Sequence, residues 1–219
     1  MKYLAIDTAG DPAAILVKNG DKTCFRAVTE QKRTSEVLLP ILDEMLDECG
    51  LTLPELDFMA VVTGPGSFTG IRIGVNTVKT FSYVHGTPIA AIDALKKLTY
   101  NDIESGVERI ICAVHAYADF CYIAVYDRGG SVTEAPQTLD YVAAREFTAA
   151  HANAATFADK AAGEKLGTEY NEDAPEISLA RAAEDFYGSG KTVGYGEVEP
   201  FYLMKSQAER ELENKTGQN

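Results

Sequence analysis

The chain has 219 residues, of which 46% are hydrophobic, and this is enough for one large domain or two small ones with a buried core. No apolar run reaches the ~18 residues that argue for a membrane-spanning helix, so we expect no membrane association. The formal net charge of −13 argues against tight nucleic-acid binding by this chain alone, because such binding depends on Lys and Arg contacts with phosphates.

The amino-terminal residues and the cysteines favour a cytoplasmic protein. The opening "MKYLAIDTAGD" is not expected to be a signal peptide, because an acid follows its short apolar run and no small-residue cleavage site appears. The cysteines form no CxxC pair, and each lies among apolar residues of a predicted strand or helix. We expect free, buried thiols rather than disulfides or a metal site. The four are Cys24, Cys49, Cys112 and Cys121.

The first half of the chain predicts three strands followed by alternating helices and strands. Asn19-Gly20 suits a two-residue hairpin turn, and Asp93 is placed to cap a helix. Apolar residues at helical spacing, or in short continuous runs, define the other elements. The predicted strands cover residues 2–7, 13–18, 22–29, 58–63 and 88–92, and the predicted helices cover residues 35–49, 69–85 and 94–101.

The second half partly repeats this order. It predicts strands at residues 109–115, 120–127, 132–137 and 154–158, and helices at 140–150 and 178–187. Two lobes of this kind indicate an α/β protein with the actin-like ATPase fold, a duplicated ribonuclease-H-like unit whose second lobe is reduced. We place the first lobe at residues 1–101 and the second at 102–219, with a tail from about residue 205 that is helical or disordered.

The end of the first predicted strand carries two candidate site residues, Asp7 and Thr8. In actin-like ATPases an aspartate at this place holds a metal near the phosphates. In the alternative interpretation, Asp7 and Thr8 form a polar turn and bond nearby backbone N–H groups. A single aspartate at a strand end is common, so taken alone it favours the turn.

The stretch "GPGSFTG" joins a predicted strand to a helix, as phosphate-binding loops do. Gly64, Gly66, Ser67 and Thr69 are the candidate loop residues, but no lysine follows them as a P-loop requires, and the glycines are spaced too widely for a dinucleotide fingerprint. Two interpretations remain. The helix N-terminus attracts an anion, or small residues on one helix face allow another helix to pack closely.

The sequence contains no recognisable catalytic or metal-binding constellation. The three histidines are scattered, with neither an H-x-x-x-H nor an H-E-x-x-H spacing, and no Cys/His or Ser/His pair stands out. We therefore expect no catalytic residue, no metal and no cofactor, although the sequence leaves weak nucleotide binding open.

Several stretches resemble one protein family. "LAIDTA", "SEVLLP" and "GPGSFTGIRIG" resemble the TsaB family, also called YeaZ, and "PFYL" at residues 200–203 resembles its closing motif. The resemblance implies an actin-like fold with a reduced second lobe. It also implies a non-catalytic partner of the enzyme TsaD in bacterial synthesis of threonylcarbamoyladenosine on tRNA, with TsaE joining the assembly and tRNA reached only through the complex.

The chain departs from the family pattern at the start of the second lobe. In "HAYADFCY", His115, Tyr117 and Phe120 stand where the family usually has Asp, Arg and Glu, Thr34 stands for a usual His, and Met204 for a usual Arg. These changes remove charged groups from the interlobe side and argue against nucleotide binding. The alternatives are an actin-fold ATPase or small-molecule kinase acting alone, and a glycoprotease-like peptidase, which lacks metal ligands and a nucleophile pair.

The resemblance implies that TsaD binds to helices of the first lobe. We predict that the two helices there leave a groove of small residues, which TsaD enters, or a second copy of this chain when TsaD is absent. The residues predicted to form this groove are Leu38, Leu42, Met45, Gly70, Gly74 and Val78.

Overall fold

The computed structural model describes residues 1–29, 34–151 and 153–205. In the first half, a short 3-10 helix at Leu53–Glu55 accompanies the main elements. These are β1 (Lys2–Asp7), β2 (Ala13–Asn19), β3 (Lys22–Val28), α1 (Thr34–Cys49), β4 (Phe58–Gly64), α2 (Phe68–His85), β5 (Ile89–Asp93) and α3 (Ala94–Leu98).

The second half contains five further strands before its last helix and ends on a two-residue strand. Its elements are β6 (Arg109–His115), β7 (Phe120–Asp127), β8 (Val132–Asp140), α4 (Tyr141–Ala150), β9 (Ala154–Ala158), α5 (Lys160–Leu166), β10 (Asn171–Glu172), α6 (Pro175–Gly188) and β11 (Thr192–Val193). The predicted helical or disordered tail falls almost entirely on residues 206–219, outside the described residues.

Two sheets share one strand order. The first sheet runs β11-β5-β4-β1-β2-β3 and the second runs β10-β9-β6-β7-β8. In each, three antiparallel strands are followed by a strand that pairs in parallel with the first of them. A fifth strand then pairs in parallel with the fourth. This repetition confirms the predicted actin-like fold, and the two-residue β10 shows where the second lobe is reduced.

Several of the predicted helix caps and turns are confirmed. Asp93 caps α3, since its side chain accepts a hydrogen bond from the backbone N–H of Lys96. Gly86 ends α2 with a φ of 71°, and Gly20 adopts a φ of 60° in the hairpin turn, a region that glycine enters without steric cost. Pro40 lies inside α1 without ending it. α6 begins at Pro175, three residues before the predicted start.

The last helix and strand return to the first sheet. α6 packs its buried face, Leu179 and Ala182, into the core of the first sheet, and β11 pairs with β5. On β1, the hydroxyl of Tyr3 donates to Glu184 on α6 at 3.0 Å. Ile6, on the opposite side of the same strand, faces α2. The first sheet is therefore covered on both faces. α6 and β11, which the sequence analysis assigned to the second lobe, form part of the first lobe.

Among the described residues, no helix combines the length and apolar character needed to cross a bilayer.

Candidate functional site

A cleft of about 700 Å³ lies between the ends of the two sheets. The first lobe contributes the end of β1, the glycine loop and α3. The second contributes the end of β6 and the residues that follow β9 and β10. The side chains that matter most for its chemistry are Asp7, Ser67, Lys97, His115, Asp159 and Asp173.

Asp7 lies at the floor of the cleft and is only 4% exposed. Its Oδ1 accepts hydrogen bonds from the backbone N–H groups of Ala9 at 3.0 Å and Gly10 at 3.4 Å. Its Oδ2 accepts one from Lys97 Nζ at 2.7 Å. The first two bonds are those that the polar-turn interpretation predicts. The third, with Lys97, was not predicted.

Lys97 is a buried cation held between two carboxylates. Its Nζ lies 2.7 Å from Asp7 Oδ2 and 2.7 Å from Asp173 Oδ2, with a residue exposure of 5%. Burial alone would lower the pKa of Lys97, but the two carboxylates outweigh it and raise the pKa above its usual value. Burial likewise opposes ionisation of Asp173, yet the charge of Lys97 and three hydrogen bonds lower the pKa of this carboxyl.

The contacts of Asp173 extend this ion triad across the cleft. Asp173 Oδ1 accepts hydrogen bonds from Asn101 Nδ2 at 2.9 Å and from Ser178 Oγ at 2.7 Å. Asn101 in turn accepts from the backbone N–H of Ala174 at 2.9 Å. Asp7, Lys97 and Asp173 thus connect β1, α3 and the segment between β10 and α6. The triad carries a net charge of −1 when all three groups are ionised, and it ties the two sheets together.

The glycine loop packs against the turn after β1. The N–H of Ser67 donates to the carbonyl of Ala9 at 2.9 Å, and Ser67 caps α2 by accepting from the N–H of Gly70 at 3.2 Å. A Cβ on Gly66 would lie 2.5 Å from the Ala9 oxygen, and one on Gly70 would lie 1.8 Å from the Thr8 oxygen. Neither position admits a side chain, so the loop functions as a close-packed corner. Thr69 is exposed at its rim.

The predicted partner groove requires a correction. All six residues are buried in the first lobe, because these faces of α1 and α2 pack on the chain's own sheet. Gly74 faces Thr8 Oγ1, 2.4 Å from where its Cβ would lie, and not a neighbouring helix. The predicted groove is therefore not accessible to a partner. Its six residues are Leu38, Leu42, Met45, Gly70, Gly74 and Val78.

The second-lobe side of the cleft is held by hydrogen bonds within its own lobe. The N–H of His115 donates to Asp159 Oδ2 at 2.7 Å, and its ring Nδ1 lies 2.8 Å from the Tyr141 hydroxyl. Asp159 also caps α5, accepting from Ala162 at 2.7 Å. Burial lowers the pKa of His115 and raises that of Asp159. His115 ends β6 as Asp7 ends β1, so the equivalent position of the second lobe carries no carboxylate.

The segment after β11 closes over the glycine loop. The N–H of Phe201 donates to the carbonyl of Thr63 at 2.8 Å. The ring of Tyr202 stacks on Phe68 at 4.2 Å, and its hydroxyl accepts from Arg72 Nε at 3.0 Å. The "PFYL" stretch is therefore part of the first lobe, and it explains why Gly64 has no room for a side chain: a Cβ there would lie 2.4 Å from the Phe201 oxygen.

Sequence reasoning missed Lys97 and Asp173. Lys97 is in "ALKKL", where a lysine beside a second lysine is typical of an exposed helix face, and Asp173 is in the irregular stretch "NEDAPE". Both acquire their roles only when the two sheets meet. Across the described ranges, no three His, Cys, Asp or Glu side chains are grouped so as to hold a metal ion.

Comparison with known proteins places this geometry in a family. A model of the TsaD family, tRNA N6-adenosine threonylcarbamoyltransferase, matches residues 28–196. The tRNA threonylcarbamoyladenosine biosynthesis protein TsaB of Escherichia coli is 26% identical over 98% of this chain and its own full length. TsaB of Bacillus subtilis is 33% identical, but the match spans 46% of this chain and only 44% of that protein.

The fold is also that of a solved relative. YeaZ from Pseudomonas aeruginosa superposes with a TM-score of 0.74 at 22% identity, over 92% of this chain and 99% of that one. The family model covers most of the chain, and the relatives distinguish the branch within it. The chain therefore belongs to the family that the TsaD model describes and, within it, to the TsaB (YeaZ) family.

Proposed function

We propose that this chain is a non-catalytic scaffold subunit for the synthesis of N6-threonylcarbamoyladenosine on tRNA, where it pairs with TsaD and with TsaE. The relatives that match are named for the biosynthesis of this nucleoside, and one of them matches over its whole length. The names of these relatives support a role in that biosynthesis. The contents of the cleft support the non-catalytic role.

The observation that carries the proposal is the Asp7–Lys97–Asp173 triad. Both Asp7 oxygens are occupied, one by backbone N–H groups and one by Lys97. A divalent cation at Oδ2 would have to displace a buried ammonium, and charges of the same sign repel strongly where water is excluded. Asp7 is thus engaged in holding the lobes together, which supports a scaffold rather than an ATPase or kinase.

The first test is ATP hydrolysis by the purified chain. We expect no phosphate release above the buffer rate with ATP and Mg²⁺, because the chain presents no free metal-binding carboxylate at β1 and no P-loop lysine. Asp7→Ala serves as the control. Steady turnover that Asp7→Ala abolishes would overturn the proposal and favour the ATPase alternative, whereas turnover that survives Asp7→Ala identifies a contaminant.

The surface proposed for TsaD is the solvent side of α1 and α2. The two helices contact each other on one face of the first sheet. Leu39 on α1 is 54% exposed, and Tyr83 and Val84 at the end of α2 are 68% and 64% exposed. Ile41 on α1 and Ile73 on α2 are half-buried and pack against the core of the first sheet. Apolar side chains left in solvent on adjacent helices support helix-on-helix docking. The same side would pair two copies when TsaD is absent.

Leu39→Glu tests this surface. We expect loss of copurification with TsaD and an unchanged melting temperature, because the side chain is exposed and a charge placed in a docked apolar interface is poorly tolerated. The matched control is Val142→Glu on α4, 65% exposed in the second lobe, which should leave copurification intact. Retention by Leu39→Glu together with loss by Val142→Glu would move the interface to the second lobe.

A further inference from the structure

Two thiols from different elements lie in contact at the β3 edge of the first sheet. Cys24 lies on β3, and Cys49 is the last residue of α1. Their Sγ atoms are 2.8 Å apart, although 25 positions separate the residues in sequence. The Cys49 thiol also donates to the carbonyl of Val17 at 3.5 Å, on β2, where Val17 is the cross-strand partner of Cys24. All four cysteines are free thiols, and these two lie in contact.

Polar contacts hold the end of α1 against the β2–β3 hairpin and keep the two sulfurs together. Arg26 on β3 pairs with Glu44 at 2.6 Å and with Glu48 at 2.5 Å, both on α1. Asn19 Nδ2 donates to the carbonyl of Cys49 at 3.0 Å, and Lys22 Nζ donates to the carbonyl of Glu48. A bonded sulfur pair is separated by about 2.05 Å, so bond formation moves the sulfurs by roughly 0.8 Å.

The two thiols differ in access to solvent. Cys49 is 3% exposed, whereas Cys24 is half-buried on β3. A soluble disulfide therefore reaches the Cys24 sulfur first, and Cys49 lies behind it as the resolving thiol. This arrangement of one reachable and one shielded sulfur in contact is the one that thiol–disulfide exchange requires.

From this geometry we propose that Cys24 and Cys49 form a reversible intramolecular disulfide that ties β3 to the end of α1, with a small-molecule disulfide such as oxidised glutathione as the oxidant. The proposal does not depend on the assignment of the chain to tRNA modification. It concerns a modification site on the hairpin side of the first lobe, away from the interlobe cleft.

The exchange balances in two steps. The Cys24 thiolate attacks one sulfur of oxidised glutathione, the glutathione S–S bond breaks, and one glutathione leaves as a thiolate that takes up a proton. Cys49 then loses its proton and attacks the Cys24 sulfur, and the second glutathione leaves. Two cysteine thiols are oxidised to one disulfide, and one oxidised glutathione is reduced to two thiols.

The second step is expected to be slow at neutral pH. Burial, followed by the hydrogen bond and charge of Cys24, raises the pKa of Cys49 to about 11, and Lys22 on β3 acts in the opposite direction. Only the thiolate attacks. At pH values below that pKa, each increase of one pH unit should therefore raise the rate of disulfide closure about tenfold. Cys49→Ser should stop the reaction at the glutathione adduct of Cys24.

The experiment is an oxidation series on the purified full chain. The protein is equilibrated at pH 8 with graded ratios of reduced to oxidised glutathione, alkylated, and analysed by intact and peptide mass. We expect the mass to fall by two hydrogen atoms and a Cys24–Cys49 linked peptide to appear. We also expect a higher melting temperature, because a cross-link restricts the unfolded chain. Cys112 and Cys121, both fully buried in the second sheet, serve as internal controls that become alkylated only after denaturation.

Variants separate the steps. Cys24→Ser should take up no glutathione, and Cys49→Ser should accumulate one glutathione per chain at Cys24, with each variant first shown to melt cooperatively. A Cys24 adduct that never closes in the wild-type chain would overturn the proposal. Recovery of both thiols unmodified at every ratio, or a linked peptide containing Cys112 or Cys121, would do the same.

Discussion

Lys97 is the central residue of the interlobe contact, because its ammonium is the counterion of two buried carboxylates. Lys97→Met keeps much of the side-chain volume and removes the charge. Loss of one partner from a buried ion pair destabilises a protein by about 3–5 kcal/mol. We expect a decrease of this size in the free energy of unfolding at pH 7, measured by urea denaturation.

The pH dependence provides the check on this residue. The lowered pKa of Asp173 adds stability above the usual aspartate pKa of about 3.9, and this is lost as the pH falls through the lower folded value. The raised pKa of Lys97 adds stability below about 10.4, lost only as the pH rises through its folded value. The wild-type triad therefore stabilises the fold through neutral pH.

In Lys97→Met the pH dependence of stability at acidic pH should change sign. Asp173 then lacks its counterion while burial still opposes its ionisation, so its pKa in the folded variant should lie above the usual aspartate value, and stability should rise as the pH falls from neutral toward that value. The control is Lys97→Met/Asp7→Asn/Asp173→Asn, which removes all three charges and should recover part of the loss at pH 7. Equal urea midpoints for the wild-type chain and Lys97→Met at pH 7 would show that the ammonium contributes nothing.

Local chemistry was predictable at the residue scale, and tertiary contacts were not. The capping role of Asp93 and the polar turn at Asp7 follow from short-range bonding rules, and both are present. The partners of Lys97 lie 90 positions before it and 76 after it, so no window of sequence contains the contact. The helix face of Gly74 was assigned wrongly for the same reason, because helical spacing does not reveal what lies opposite a face.

At the scale of elements, the register of α2 on the first sheet depends on its glycines. A Cβ at Gly70 would lie 1.8 Å from the backbone oxygen of Thr8, which cannot move independently of β1. Overpacking of this kind destabilises by ~1–3 kcal/mol. We expect Gly70→Ala to lie at the upper end of that range in thermal or urea unfolding, with lost packing of α2.

The matched control is Gly188→Ala at the end of α6. A Cβ there meets no atom within 4 Å, and the residue does not require a positive φ. Alanine is up to ~1 kcal/mol more favourable than glycine in a helix, so this variant should be neutral or slightly stabilising. An unchanged melting temperature for Gly70→Ala would mean that α2 lies farther from β1 than the structure places it.

The longer elements were predictable because their apolar periodicity is sustained. The eighteen residues of α2 and the seven of β4 give unambiguous patterns. β10 and β11 have two residues each, and α5 has seven, too few for periodicity to distinguish them from loops. These short elements exist because the chain around them is already placed, β10 beside β9 and β11 beside β5.

For the whole molecule, the order of elements was enough to predict two lobes, because each half begins with an antiparallel triplet and continues into parallel strands. The return of α6 and β11 to the first sheet was not predictable from that order. The two elements return because the first sheet has an uncovered face for α6 and an unpaired edge at β5 for β11. The interlobe contacts of Asp173 with Lys97 and Asn101 depend on that return, since Asp173 lies two residues before α6.

The final prediction concerns the charge of the whole chain. With 33 acidic and 20 basic residues, it lacks the surplus of cations that neutralises nucleic-acid phosphates. We expect a Kd for tRNA weaker than about 10⁻⁴ M at physiological salt, outside the usual range of non-specific binding. Fluorescence anisotropy with labelled tRNA over a salt series measures it, first with this chain alone and then with TsaD added. Binding that appears only with TsaD agrees with a scaffold that reaches tRNA through its partner. Tight binding by the chain alone, falling steeply with salt, would mean that a local basic surface overrides the net charge and would contradict that role.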